Sequence, residues 1–405
     1  MVEIPFPVIG VRTKHVAFLP TAVGFTYAFR VALTFLWFQD APTAGSAVSI
    51  GLSIALLLAA LFYNVTSLQG RPHQSSLPGT LKFIFAYLAL ALVSLLWTTT
   101  QSMPVALGYW CAMCADVLTV ILLLRTRDAE EEALSIVKGF VVGSAVVAAI
   151  AWLAPVMDDL RLGNEDFLHP NAIGFEFALA TLCALYLSRE GRIWKWLGVI
   201  PGVTLLRTLS KASILAFLPA AGFYLLRASS IRRRTKVLVA IGAVVVSLSF
   251  LSLIDTYVEQ YAQGSQLETL TGRTLIWAES LDIALDKPWL GHGFYSYRWL
   301  VPPFGTFEAW QAHDELLQQF FSYGLVGILL SVALYYGFFR QLRRHPPNNL
   351  RTLATALLIF ALLRGLVDTD IFGLSFPLWL MAMLTIWLDS RRATGSRHHA
   401  SELRV

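Results

Sequence analysis

The chain has 405 residues, of which 56% are hydrophobic and 14% charged, and its mean hydropathy is +0.61. Soluble globular chains carry about 25% charged residues, which excludes a water-soluble enzyme, and 12 Trp, 13 Tyr and 26 Phe are too much apolar area for a disordered or fibrous chain. What remains is an all-α polytopic integral membrane protein, in which the net charge of +5 matters by its placement rather than its sum, and for which nucleic acid is not an expected partner.

A spanning helix takes about 20 apolar residues. Apolar runs between charged breaks predict twelve helices, over 16–37, 47–63, 81–97, 104–124, 133–153, 171–187, 194–206, 212–226, 237–254, 316–339, 352–367 and 376–388. The first run is longer than a signal core and contains Arg30, so it reads as a retained helix. Residues 1–254 then hold helices one to nine, 255–315 a large loop, 316–390 helices ten to twelve, and 391–405 a tail. Cys111, Cys114 and Cys183 all fall inside spans, and Cys111-x-x-Cys114, with no βαβ unit around it, reads as packing residues rather than a redox pair.

Loop charge tests the count. With a cytoplasmic N-terminus, 23 of the 31 basic residues fall on the cytoplasmic side and seven outside, as the positive-inside rule requires. Both termini are therefore expected in the cytoplasm. Within the spans, Arg30 and Glu176 are costly enough to be functional by default, with pairing between helices as the structural alternative.

The loop 255–315 is conspicuously long and predicted to lie outside. Trp277, Leu281, Ala284 and Leu285 recur at helical spacing, so 274–286 reads as an amphipathic helix stopped by Lys287-Pro288. Gly291-His292-Gly293 is a turn, and His313 stands just before the tenth helix. The loop contributes Arg273, His292, Arg298 and His313; the break between helices seven and eight adds Arg207 and Lys211; the loop before helix six adds Asp158, Asp159, Arg161, Asp166 and His169. Cations gathered on one face of a bundle suit an anionic ligand anchored in lipid, and arginine matches phosphate with two parallel donors. The ordinary readings are surface charge for Arg161 and Lys287, a loop carboxylate partner for Arg298, a structural role for His292, and a helical ion pair for Arg364 with Asp368. Asp368-Thr-Asp370 is too short a pattern for a metal site, and neither HExxH nor a Walker loop occurs.

Gly272-Arg273-Thr-Leu-Ile-Trp277, Lys287-Pro-Trp-Leu-Gly-His-Gly-Phe294, His313-Asp314-Glu-Leu-Leu-Gln318 and Tyr323-Gly-Leu-Val-Gly327, in that order, resemble the O-antigen ligase and polymerase family, including its exopolysaccharide-polymerase branch. His169-Pro-Asn171-Ala-Ile-Gly174 and Thr208-Leu-Ser-Lys211 look like two further family segments. The resemblance implies a multi-pass protein of the bacterial inner membrane whose site faces the periplasm. It implies a metal-independent, cofactor-free glycosyltransferase with an undecaprenyl-pyrophosphate-linked glycan as donor and lipid A-core or a lipid-linked saccharide as acceptor. The family's histidine falls on His313 and its loop arginine on Arg273. The chain departs from the pattern at Asp314, where the family commonly has Asn, and at Lys211, where it has Arg.

The chemistry follows from residue type. Histidine, with a reference pKa near 6.5, is suited to take a proton from a sugar hydroxyl, and cations stabilise a departing pyrophosphate. His313 is the expected base, Arg273 with Lys211 or Arg207 the pyrophosphate grip, and His292, Arg298, His169 and Asp314 acceptor-side or supporting groups. Direct displacement inverts the anomeric centre. A transporter or flippase of lipid-linked glycans is the alternative from another class.

Overall fold

In the computed structural model the described residues are 17–38, 41–67, 78–125, 129–153, 161–162, 169–229, 233–234, 236–237, 241, 270–304, 308–370 and 373–402. Most of the ninth predicted span, residues 255–269 of the large loop, and Asp158, Asp159 and Asp166 lie outside them.

Among the described residues the chain is built of helices without strands. They are α1 (Phe18–Trp37), α2 (Pro42–Ser67), α3 (Gly79–Ser94), α4 (Met103–Leu124), α5 (Ala129–Leu153), α6 (Pro170–Leu187), α7 (Arg192–Arg207) and α8 (Lys211–Arg227). After the undescribed stretch come α9 (Leu270–Leu285), the short α10 (Tyr297–Leu300), α11 (Glu315–Arg344), α12 (Asn349–Gly365) and α13 (Leu378–Glu402). Each predicted span other than the ninth has a helix at its place. Among the described residues five helices are long and apolar enough to cross a membrane by themselves, and Phe18–Leu33 and Gly79–Ser94 are apolar but shorter. The remaining described helices are shorter or more polar, so length and composition carry a helical membrane protein without fixing twelve crossings.

The core sits where α1, α4, α5, α6, α12 and α13 meet, and its largest fully buried side chain is Trp387. The closest approach is between α1 and α5. A Cβ on Gly139 would lie 2.0 Å from the Thr21 carbonyl oxygen, and one on Gly24 would lie 1.9 Å from that of Ile136. The pair Gly139-x-x-x-Gly143 is the small-residue stripe that lets two membrane helices touch backbone to backbone. Gly139→Ala is therefore expected to force α1 off α5 at about 1–3 kcal/mol. A thermal unfolding midpoint in detergent equal to that of the parent would disprove this contact.

Arg30 is paired. Its Nη1 lies 2.8 Å from Asp116 Oδ2 and 3.3 Å from the Ser53 hydroxyl, which ties α1 to α4 and α2. Tyr27 donates to the Asp116 carbonyl oxygen at 2.9 Å. The sequence reading counts two intramembrane charges and misses Asp116, the partner of the first. Glu176 is buried on α6, and its Oε1 has no hydrogen-bond partner among the described residues. The three cysteines are free thiols.

The stretch after α9 forms a cap of its own. Ile276, Ala284, Tyr297, Val301, Ala309, Ala312 and Phe321 make a small second core over one end of the bundle. This corrects the predicted face of the amphipathic helix: α9 buries Ile276, Ser280 and Ala284, whereas Leu281 and Leu285 are exposed. The stripe is offset because the helix packs on α10 and the start of α11, and the leucines are left to an apolar surrounding.

α11 breaks at Gly324, whose φ of 62° and ψ of −154° are outside the helical region. A break leaves backbone groups that the ladder would have paired. The turn at 288–293 supplies them: the His292 and Gly293 amides donate to the Phe321 and Ser322 carbonyls at 2.9 Å, and the Leu325 amide donates to Pro288 at 2.8 Å. Such contact requires glycine on both sides, since a Cβ on Gly324 would sit 2.3 Å from the Trp289 backbone and one on Gly291 2.5 Å from that of Ser322. The Trp289-Leu-Gly-His-Gly293 motif is thus a brace for the broken helix.

Candidate functional site

One end of the bundle collects the starts of α6, α8 and α11 and the ends of α7 and α12. His313 lies there, immediately before the Asp314 cap of α11. Its backbone is left-handed, with φ 51°, a conformation that histidine tolerates better than most residues and that recurs at functional positions. The neighbours hold it there. The Ala312 carbonyl accepts from Trp277 Nε1 of α9 at 2.9 Å, and the Ala312 amide donates to Gln318 Oε1 at 2.8 Å. Asp314 Oδ1 accepts from the Leu317 amide at 2.8 Å, the geometry of an N-cap. Asp314 is therefore occupied as a cap, and burial raises its pKa.

The centre of the cluster is Asp368, just beyond α12 and fully buried. Its Oδ2 accepts from Arg364 at 2.8 Å, while its Oδ1 accepts from Gln311 Nε2 at 3.2 Å and the Thr369 amide at 3.1 Å and lies 3.2 Å from His313 Nδ1. Burial opposes ionisation of this carboxyl, but Arg364 and His313 outweigh it and hold its pKa well below the usual carboxylate range. An ionised carboxylate only accepts, so His313 donates to it through Nδ1, and in the neutral ring the lone pair is then on Nε2. Arg364 is buried and stacked over the Phe175 ring of α6, 4.4 Å from its centroid.

Arg273, from α9, donates to the Val367 carbonyl beside Asp368, and its charge is one of those depressing the Asp368 pKa. His169 faces the same group. It caps α6, accepting the Asn171 amide on Nδ1 at 3.3 Å, which leaves the ring proton on Nε2. Burial first, then Arg161, pushes its pKa down to about 4, with His313 and Arg273 adding to the effect and Asp368 opposing it. His169 is thus a neutral donor at physiological pH. Because the unfolded chain takes up this proton near the usual 6.5 and the folded chain only near 4, stability falls as pH drops through that window, by up to about 3 kcal/mol. His169→Gln should flatten the unfolding midpoint between those values; an unchanged slope would remove His169 as its source.

Arg161 binds two segments together, donating to Asn171 Oδ1 at 3.0 Å and to the Thr208 carbonyl at 3.4 Å. It is more than the surface charge expected of it. The turn after α7 has Leu209 at φ 51° and presses Thr208 and Ser210 onto Gly174 of α6, where a Cβ would lie 2.9 Å from that of Ser210. This turn places half-buried Arg207 and exposed Lys211 at the same end of the bundle.

Two expected groups lie elsewhere in the cap. His292 is buried, with Nε2 2.8 Å from the Ile283 carbonyl and its ring against Phe321, and so serves the brace. Arg298 has no carboxylate partner among the described residues; it donates to the Tyr295 hydroxyl at 3.0 Å and lies among aromatic rings. Sequence reasoning sees the Arg364–Asp368 pair at its i,i+4 spacing but not that Asp368 also holds His313, 55 residues away. No group of three or more His, Cys, Asp or Glu able to hold a metal occurs among the described residues.

Residues 196–332 match the family model described as O-antigen ligase. The chain is 24% identical over 325 residues to the exopolysaccharide production protein ExoQ of Rhizobium meliloti (strain 1021), covering 71% of this chain and 72% of that protein. It is 33% identical over 135 residues to an O-antigen ligase of Pseudomonas aeruginosa, covering 31% of this chain and 33% of that protein. The matched family stretch contains Arg207, Lys211, Arg273 and His313 and stops short of Arg364 and Asp368.

Proposed function

We propose that this membrane protein, which carries an O-antigen ligase family domain over residues 196–332, is an inverting glycosyltransferase that moves a glycan from an undecaprenyl pyrophosphate carrier onto an acceptor saccharide. The observation that carries the reading is His313 held on the buried Asp368 carboxylate with Arg273 beside it. His313 Nε2 takes the proton of the acceptor hydroxyl. The hydroxyl oxygen bonds to the anomeric carbon from the face opposite the carrier, the bond from that carbon to the phosphate oxygen breaks, and the pyrophosphate leaves with the electron pair. Arg273, with Lys211 or Arg207 and with Arg161 nearby, meets the growing negative charge. No resident metal or cofactor is needed for this charge balance.

The polarity of the bundle supports a periplasmic site and cytoplasmic termini. The end opposite His313 carries Lys138 paired with Glu190 at 2.8 Å, Arg391 with Glu130, and the last-turn arginines Arg343 and Arg344 of α11, the excess expected of a cytoplasmic face.

Similarity to ExoQ across most of the chain favours extension of exopolysaccharide repeats. The higher identity to an O-antigen ligase over a shorter stretch of 135 residues favours a second reading, transfer to lipid A-core or another terminal acceptor. A deletion strain separates them, because loss of long chains marks a polymerase and long chains still on the carrier mark a ligase. Purified protein given labelled lipid-linked donor and acceptor tests the whole reading, since a transporter forms no glycosidic bond. In that assay Arg273→Ala should raise the donor KM about 10- to 100-fold, the worth of a charge-assisted contact, and Arg273→Lys should recover part of it. An unchanged donor KM would take Arg273 out of the pyrophosphate site.

A further inference from the structure

Arg298 sits in an aromatic setting that neither the transfer chemistry nor the helix brace uses. Its guanidinium carbon lies 4.6 Å from the Trp310 ring centroid, 5.3 Å from that of Trp299 and 5.9 Å from that of Tyr295. The contact to the Tyr295 hydroxyl at 3.0 Å fixes the fork. Trp310 is 45% exposed, so the cation stacks against a ring that still faces outward. Rings and a planar cation held in this way form a rigid amphipathic surface, apolar on its faces and rich in donors at its edges.

Chain geometry ties the surface to the base. Trp310 and Gln311 immediately precede Ala312 and His313, and consecutive Cα atoms are about 3.8 Å apart. Trp310 therefore lies within about 11 Å of His313, roughly two sugar rings. Gln311 joins the two places physically, donating to Asp368 through Nε2 while its Oε1 has no partner among the described residues. Trp299 Nε1 is likewise without a partner. One is a buried orphan acceptor on the residue next to Trp310 and the other a buried orphan donor on a ring that shares the Arg298 cation with it, and a sugar hydroxyl supplies both complements.

We propose that Trp310, Arg298 and Trp299, with Gln311, form the acceptor-saccharide subsite, a stacking platform that holds the sugar whose hydroxyl reaches His313. The inference rests on the glycosyltransferase reading above. The occupant is the acceptor rather than the donor carrier because the charge is divided. Arg273 and His169 lie around Asp368, with Arg161 beside His169, on the side suited to pyrophosphate, whereas the platform offers neutral faces and a single cation already engaged with aromatic rings.

The test uses the full chain in lipid nanodiscs and, as probe, the oligosaccharide released by mild acid from the carrier-linked fraction of a deletion strain. Trp310→Ala should raise the acceptor KM about tenfold, the effect of losing one stacked ring, while kcat and donor KM stay within about twofold. Trp310→Phe should restore most of the loss. An acceptor KM equal to the parent's, or a fall in kcat accompanied by a lower unfolding midpoint, would assign Trp310 to membrane-interface anchoring and overturn the platform. Saturation-transfer NMR with the same oligosaccharide keeps this outcome separate from failure of the transfer reading. If the parent forms no glycosidic bond, contact with aromatic protons that disappears in Trp310→Ala still upholds the platform, and absence of contact in the parent removes it.

Discussion

His313→Ala is expected to lower glycan transfer by about 10²–10⁴-fold, the usual contribution of a positioned general base, while the protein still inserts and folds. Its catalytic loss is large because the proposed base is a ring held on a carboxylate at 3.2 Å from Nδ1, an orientation that alanine cannot supply. The structural loss is small: the side chain is 14% exposed and makes one bond to Asp368, which keeps Arg364, Gln311 and the Thr369 amide. The backbone at φ 51° costs about 1–2 kcal/mol for any residue with a Cβ, and alanine tolerates that region less well than histidine. His313→Asn separates the effects, because asparagine tolerates that region and cannot serve as a base. Both variants should be inactive with donor and acceptor present at saturating levels, and the Asn variant should unfold near the parent's midpoint. Near-normal transfer by His313→Asn would remove His313 from the chemistry.

Much of this site is legible from local patterns, and its centre is not. Charged breaks and apolar runs place α1 to α8, α11 and α12 close to their observed ends, because burial in lipid leaves few alternatives to a helix; they place only the start of α13, which continues to Glu402 through the residues expected to be a tail. His313, Arg273 and His169 are conspicuous as polar residues at the ends of apolar runs, and the structure brings them around one carboxylate. The residues that organise them are hidden by conventional local roles. Asp368 looks complete as the i,i+4 partner of Arg364, and nothing local reveals that its other oxygen faces His313. Asp116 is one polar residue in an apolar helix, and its meaning depends on Arg30, 86 positions away. His292 is open from the sequence, since a histidine between two glycines reads equally as structural or functional. The glycines serve a backbone-to-backbone fit and the ring is buried beneath it, which is the structural alternative.

Asp368→Asn should have the second large effect, and its cause can be separated into two parts. The carboxylate faces four donors, from Arg364, His313, Gln311 and the Thr369 amide. A side-chain amide offers one oxygen and two N–H donors instead. If the oxygen turns to Arg364, the amide N–H faces His313 Nδ1, forces the proton onto Nε2, and removes the base. If it turns to His313, Arg364 is left buried without a counter-ion. The first arrangement is a tautomer error, which in the serine-protease triad costs about 10⁴-fold; the second breaks a buried ion pair at about 3–5 kcal/mol. Arg364→Met resolves the two, because it also breaks the pair but leaves Asp368 to orient His313. Both variants should unfold at lower temperature than the parent. At a temperature where both remain folded, Arg364→Met should retain measurable transfer and Asp368→Asn should fall by about 10²–10⁴-fold. Equal residual activities would reduce Asp368 to a structural counter-ion and leave the orientation of His313 to its left-handed backbone and the Trp277 and Gln318 contacts on either side of Ala312.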